Sequence, residues 1–228
     1  MFRKLLTLTA ALVASHAGAS TIAISGFALG SVSVDTSLSG FVGAGELIGT
    51  LQDGGTTRSF LTYCTEITQS VPLNTPFAYT LVGTDTAHGL TTLQADRLGK
   101  LYTLAGADVD TKNESVAFQL AVWEIVHEAA SNPLDLTSGS FVLEAGGLTS
   151  QRSLASGWLA SISASGAANS YLAQRLYSPS AQDFVSFSPL LNVSITGGTV
   201  PEPAGWALTG VALAGLLASR RRTGNARP

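Results

Sequence analysis

Cys64 and Gln119 are the two residues of this chain whose types and placement suggest covalent chemistry. Cys64 is the only cysteine among 228 residues, so it cannot form an internal disulfide. Gln119 falls inside the apolar arc of a predicted helix. A primary amide facing the core costs roughly 1–3 kcal/mol unless it is hydrogen bonded. Either Cys64 is a small core residue and Gln119 bonds to backbone, or the Cys64 sulfur is joined to the Gln119 side-chain carbonyl carbon.

A thioester between these side chains would be an electrophile for an amine or a hydroxyl. Attack would transfer the acyl group and free the thiol, so the protein would form one covalent bond and stop. We therefore expect a single acyl transfer and no enzymatic turnover. Hydrophobic cover from Trp123, Tyr63 and Phe118 would keep water from the bond.

Two other chemistries use the same cysteine and fit the sequence less well. A Cys/His hydrolase would pair Cys64 with His88 or His127, but no third residue can be nominated to orient the imidazole. His127 borders the apolar arc, which is typical of a capped or half-exposed histidine. Ligand spacings for zinc are missing, and no calcium-binding loop of the DxDxDG type occurs. We expect no metal and no cofactor.

Two segments resemble the thioester domains of bacterial surface adhesins. Tyr63-Cys64-Thr65-Glu66 on a strand and Gln119-Leu-Ala-Val-Trp123-Glu on a helix match their aromatic-Cys-x-acid and Gln-x-Ala-aliphatic-Trp patterns. The resemblance covers about residues 60–128 and implies a Cys64–Gln119 thioester in a sandwich with a helical subdomain. Phe118 stands where the adhesins commonly have Thr, and Glu66 where they usually have Asp.

The elements that must position this pair change character along the chain. Strands are predicted at Ser31 to Asp35, Phe41 to Leu51, Arg58 to Ile67, Phe77 to Val82, Gln182 to Phe187 and Leu191 to Thr196. Helices are predicted at Thr91 to Leu104, Glu114 to Ala130 and Thr149 to Ile162. The second helix has Glu124 and Glu128 on its polar side. This order predicts an α+β fold, mainly a β sandwich or half-barrel, with an inserted helical layer at about 91–162.

The first 19 residues are predicted to be a secretory signal peptide. Arg3 and Lys4 precede an apolar run, and the small residues Ala17 and Ala19 suit signal peptidase, so cleavage is expected after Ala19. The exported domain then covers residues 20–200.

The last 28 residues are predicted to form a sorting signal. An apolar segment at about 204–219 reaches about 25 Å as a helix and ends at Arg220, Arg221 and Arg222, which predicts a membrane span with a cytoplasmic basic end. With Pro201, Glu202 and Pro203 before it, the tail closely resembles the PEP-CTERM signal of Gram-negative, exopolysaccharide-producing bacteria. The resemblance implies recognition by an exosortase, a transient span, and delivery to the cell surface or the extracellular space.

Composition limits the remaining functions. Only 12% of residues are charged, and residues 20–200 hold fourteen acidic and six basic side chains, a net charge of −8. Nucleic-acid binding is excluded because it requires a basic surface. Two hypotheses remain: covalent adhesion through Cys64 and Gln119, or a non-covalent structural or binding component of the exopolysaccharide matrix.

Overall fold

The computed structural model describes residues 20–144 and 146–190. The predicted signal peptide, the predicted strand at Leu191 to Thr196 and the predicted sorting tail lie outside these ranges. None of the helices within them is long and apolar enough to cross a membrane.

An antiparallel sheet of six strands forms the larger part of the described fold. Its spatial order is β5-β4-β1-β6-β7-β8, and a separate hairpin pairs β2 with β3. The strands are β1 (Ser20–Phe27), β2 (Val32–Thr36), β3 (Gly40–Ala44), β4 (Leu47–Asp53), β5 (Thr56–Thr62), β6 (Phe77–Val82), β7 (Tyr171–Tyr177) and β8 (Phe184–Pro189).

The sheet curls so that the chain after β5 meets β8 at the opposite edge. Cys64 forms an isolated antiparallel bridge with Phe184. The Val185 N–H donates to the Tyr63 carbonyl at 3.1 Å, and the Thr65 N–H donates to the Asp183 carbonyl at 3.0 Å. The fold is therefore α+β with a curled half-barrel, one of the two predicted arrangements.

Close strand contact explains one glycine in the sheet. A Cβ atom on Gly49 would lie 2.1 Å from the Ala23 carbonyl oxygen of the neighbouring β1. The register of β1 against β4 shifts between Ile24 and Gly26, which marks a bulge. Ile22 and Ile24 of β1 are fully buried, so this strand supplies part of the core.

Three α-helices and a 3-10 turn (Gly106–Asp108) are described between β6 and β7; the α-helices are α1 (Thr92–Ala105), α2 (Lys112–His127) and α3 (Thr149–Ser163). Thr91 and Thr111 cap the first two through capping boxes with Gln94 and Glu114, so the polar residues before each helix fix its start. The predictions for α1 and α3 are confirmed to within one residue at each end. The second helix starts two residues earlier than predicted and ends three residues earlier.

The polar side predicted for α2 is not exposed. Every residue from Ser115 to Val126 is buried, including Glu124, which is 0% exposed. The following loop packs over this side: the Asp135 N–H donates to Glu124 Oε1 at 2.6 Å, and the Ser140 N–H donates to Glu128 Oε2 at 2.8 Å. The two carboxylates therefore hold a loop and do not face water.

The strand predictions differ from the structure in three places. The predicted strand from Phe41 to Leu51 is two strands, β3 and β4, separated by Gly45 and Glu46. Strand β5 ends at Thr62 and not at Ile67, although Cys64 continues the pairing as a bridge. Strands β1 and β7 were not predicted.

Candidate functional site

Cys64 lies where the two edges of the curled sheet meet. It follows β5 by two residues, and its bridge to Phe184 joins it to the start of β8. The residue is 4% exposed and belongs to the hydrophobic core. Its backbone is therefore held from both edges of the sheet, which fixes the position of the side chain.

Gln119 lies in the middle of α2, with its side chain against Cys64. The residue is 0% exposed, as its place in the apolar arc predicts. The Cys64 N–H donates to Gln119 Oε1 at 2.9 Å, and Gln119 Nε2 donates to the Cys64 carbonyl at 2.9 Å. The structure thus brings together two residues that are 55 positions apart, and it satisfies both polar atoms of the buried amide.

The environment keeps the Cys64 thiol protonated. Burial raises its pKa well above the usual value for cysteine, and the nearby charge of Glu66 acts in the same direction. A protonated thiol is a weak nucleophile towards molecules from solvent.

The three aromatic residues predicted to cover the pair are buried, and two of them pack against each other. The rings of Tyr63 and Phe118 have their centroids 4.5 Å apart, and Phe118 contacts Trp158 edge-on at 6.2 Å. Trp123 is 1% exposed, and its indole Nε1 finds no hydrogen-bond partner among the described residues.

A cavity of about 350 Å³ opens beside Cys64. Trp123 and the amide of Gln182 share its wall with Cys64, and the remaining wall is mostly aliphatic and aromatic. Gln182 is held in place because its Nε2 donates to the Glu66 carbonyl at 2.9 Å. A small group from another molecule could reach the neighbourhood of Cys64 through this cavity.

Several buried polar atoms have no hydrogen-bond partner within the described ranges, and one of them belongs to Thr65, next to Cys64 in the chain. Buried polar atoms without a partner in residues 20–144 and 146–190 include Thr65 Oγ1, His127 Nε2, Arg175 Nε and Ser178 Oγ. Burial lowers the pKa of His127, as does the charge of Arg175, while Glu66 and a hydrogen bond to the Thr65 backbone oppose this. His127 is half-buried, and the spacing of four between Gln119, Trp123 and His127 indicates that they share one face of α2. The sequence suggested His127 only as a base for Cys64, and this spacing is the signal that places it on the Gln119 face of α2.

The other predicted site residues cannot be placed. Ala17 and Ala19 of the cleavage site, Pro201, Glu202 and Pro203 of the sorting motif, and Arg220, Arg221 and Arg222 lie outside the described residues. Within the described ranges, no three His, Cys, Asp or Glu side chains come close enough to hold a metal ion. No known protein-family model, curated protein or solved structure matches this chain.

Proposed function

We propose that this protein is an exported surface or extracellular-matrix protein that attaches covalently to a partner through a Cys64–Gln119 thioester. The observation that carries the proposal is the fully buried Gln119 amide, hydrogen bonded at 2.9 Å to both backbone groups of Cys64. Such an arrangement holds the Gln119 amide against the backbone of the thiol-bearing residue, which reduces the conformational search that bond formation requires.

Bond formation requires one exchange at the Gln119 carbonyl carbon. The Cys64 sulfur adds to this carbon, the carbon–nitrogen bond breaks, and the thiol proton leaves with the amide nitrogen as ammonia. An amine or hydroxyl of the partner then adds to the same carbon, and the sulfur leaves as the thiol. The product is an amide or ester at Gln119, so each molecule reacts once and is not an enzyme.

The Cys64 backbone supports this exchange on both sides of the amide. Negative charge develops on Gln119 Oε1 as the sulfur adds, and the Cys64 N–H donates to that oxygen at 2.9 Å. This lies within the roughly 2.7–3.1 Å range of donors that stabilise such oxyanions. The Cys64 carbonyl accepts from Nε2 and so orients the departing nitrogen.

The ends of the chain support export and sorting. Signal peptidase would cut after Ala19, and an exosortase would recognise Pro201, Glu202 and Pro203 while the tail at about 204–219 crosses the inner membrane. Arg220, Arg221 and Arg222 would hold the cytoplasmic end. The partner in this proposal carries a surface amine or hydroxyl.

A second function is favoured by the same hydrogen bonds. Because the Cys64 backbone satisfies both polar atoms of the Gln119 amide, the core is complete without a covalent bond. The protein would then be a sorted, non-covalent structural or binding component of the exopolysaccharide matrix.

Mass spectrometry of the native exported protein tests the proposal. The thioester predicts a mass lower than the processed sequence by one ammonia, a stable adduct with methylamine at Gln119, and a free Cys64 thiol after that reaction. Cys64→Ala and Gln119→Ala should abolish the mass loss and the adduct, Cys64→Ser should give a slower ester, and Gln52→Ala, at an exposed strand residue, should change neither. An unshifted mass, measured at mild pH before any contact with nucleophiles, would support the non-covalent function.

A further inference from the structure

A second cleft, separate from the cavity beside Cys64, is lined by Glu46, Arg58, Tyr102 and Phe187. We call it the Glu46 cleft. It has a volume of about 570 Å³ and shares no lining residue with the cavity at Cys64. The covalent chemistry proposed above uses none of these four side chains.

Aromatic rings form one wall of the Glu46 cleft. Tyr102 of α1 stacks on Phe187 of β8, with ring centroids 4.2 Å apart and planes at 19°. Both residues are half-buried, and Phe60 of β5, also half-buried, lines the same cleft. The rings are fixed by packing and still line an open space, as in sites that bind a ligand with an apolar face.

Charged groups of both signs line the cleft beside these rings. Burial raises the pKa of the Glu46 carboxyl, and a hydrogen bond with Tyr63 partly offsets this. The ion pairs among residues 20–144 and 146–190 are Lys100–Asp96 and Arg175–Asp183, so Glu46 has no cationic partner there. The Glu46 N–H donates to Ser115 Oγ at 2.6 Å, which anchors its backbone. Arg58, an exposed residue of β5, supplies the opposite charge in the same cleft.

These groups select a neutral ligand that has hydroxyls and one apolar face. A carboxylate and a guanidinium each engage two neighbouring polar groups at once, and the hydroxyls of Ser186 and Ser188 add further donors and acceptors. The opposite charges of Glu46 and Arg58 leave the cleft with no net attraction for an anion or a cation. We propose that the Glu46 cleft binds a neutral saccharide, with the apolar face of a sugar ring against the aromatic wall and its hydroxyls on Glu46 and Arg58.

Saturation-transfer NMR on the full chain in mild detergent tests this proposal. The probes are neutral trisaccharides of glucose, of galactose and of mannose, with glycine and inorganic phosphate as a zwitterion and an anion. We expect at least one trisaccharide to receive saturation and to shift the Tyr102 ring signals at millimolar concentration. Glu46→Gln should weaken its binding about tenfold, because a hydrogen bond to a charged group is lost. Glu144→Gln, at an exposed carboxylate outside the cleft, should leave binding unchanged.

Arg58→Ala is a second variant, and it should not disturb the core because Arg58 is exposed. This substitution should also weaken trisaccharide binding. The proposal is overturned if no trisaccharide receives saturation, if only glycine or phosphate binds, or if Glu46→Gln and Arg58→Ala both bind like the wild type. Cys64→Ala should bind the trisaccharide normally, which separates this site from the thioester.

Discussion

The rings of Tyr63 and Phe118 pack with their centroids 4.5 Å apart, and each residue directly precedes a member of the candidate pair. Tyr63 precedes Cys64 at the closure of the sheet, and Phe118 precedes Gln119 in α2. This contact joins the closing segment of the sheet to the middle of the helix. It therefore contributes to holding the Gln119 amide at hydrogen-bonding distance from the Cys64 backbone.

Phe118→Ala should destabilise the protein by about 3–5 kcal/mol, because it removes a fully buried ring and leaves a cavity. Denaturant unfolding of the exported protein measures the change in free energy. Phe41→Ala is the control, because Phe41 is 73% exposed. It should lower the free energy of unfolding by less than about 0.5 kcal/mol. Equal losses for the two variants would contradict the packing described for Phe118.

Gln119→Leu should cost about 2–4 kcal/mol, because it leaves the Cys64 N–H and carbonyl buried without their partners. The measurement is made in a Cys64→Ala background, where no thioester can form and only the hydrogen bonds differ. Gln52→Leu in the same background is the control at an exposed strand residue. If both substitutions have the same small effect, the amide is not the partner of this backbone.

Glu124→Gln should change how stability depends on pH. Burial raises the pKa of Glu124 to about 7, the charges of Glu128 and Asp135 add to this, and the Asp135 N–H and Arg97 oppose it. Because the pKa is higher in the folded state, this carboxyl contributes its full stabilisation at pH values below about 4.5, its pKa in the unfolded chain. That contribution is lost as the pH rises through about 7, the pKa in the folded protein.

The Gln variant should therefore be more stable than the wild type at pH 8, by about 1–3 kcal/mol. The difference should disappear towards pH 4, because the carboxyl is then neutral in both the folded and the unfolded state. Thermal unfolding across this range measures it, with exposed Glu144→Gln as the matched control. A constant difference at every pH would show that ionisation of Glu124 does not limit stability.

Deleting Pro201 to Pro228 should release the exported core into the medium, because the deletion removes both the apolar segment and its basic end. Fractionation of producing cells, with the full chain as the control, measures the distribution. N-terminal sequencing of the released core should begin at Ser20. A truncated core that stays in the membrane fraction would show that the tail is not the anchor.

Local signals explain what the sequence predicted well. The starts of α1 and α2 depend on the capping residues Thr91 and Thr111. Each threonine is only three residues from its capping partner in the chain, so the signal is local. The alternation of Phe77, Tyr79 and Leu81 predicted β6 with its observed ends. Helical periodicity also predicted the burial of Gln119, because the apolar arc depends only on neighbours within two turns.

Only the tertiary structure decided which groups meet across long separations. Strand β7 has no clear alternation and includes Gln174 and Arg175, so its place depends on pairing with β6 and β8. Glu124 is buried because the loop carrying Asp135 packs over it, which helical periodicity cannot predict. Gln119 meets Cys64 because the sheet closes between Cys64 and Phe184, a contact between residues 120 positions apart in the chain. Periodicity is a property of neighbouring residues, and closure is a property of the whole sheet.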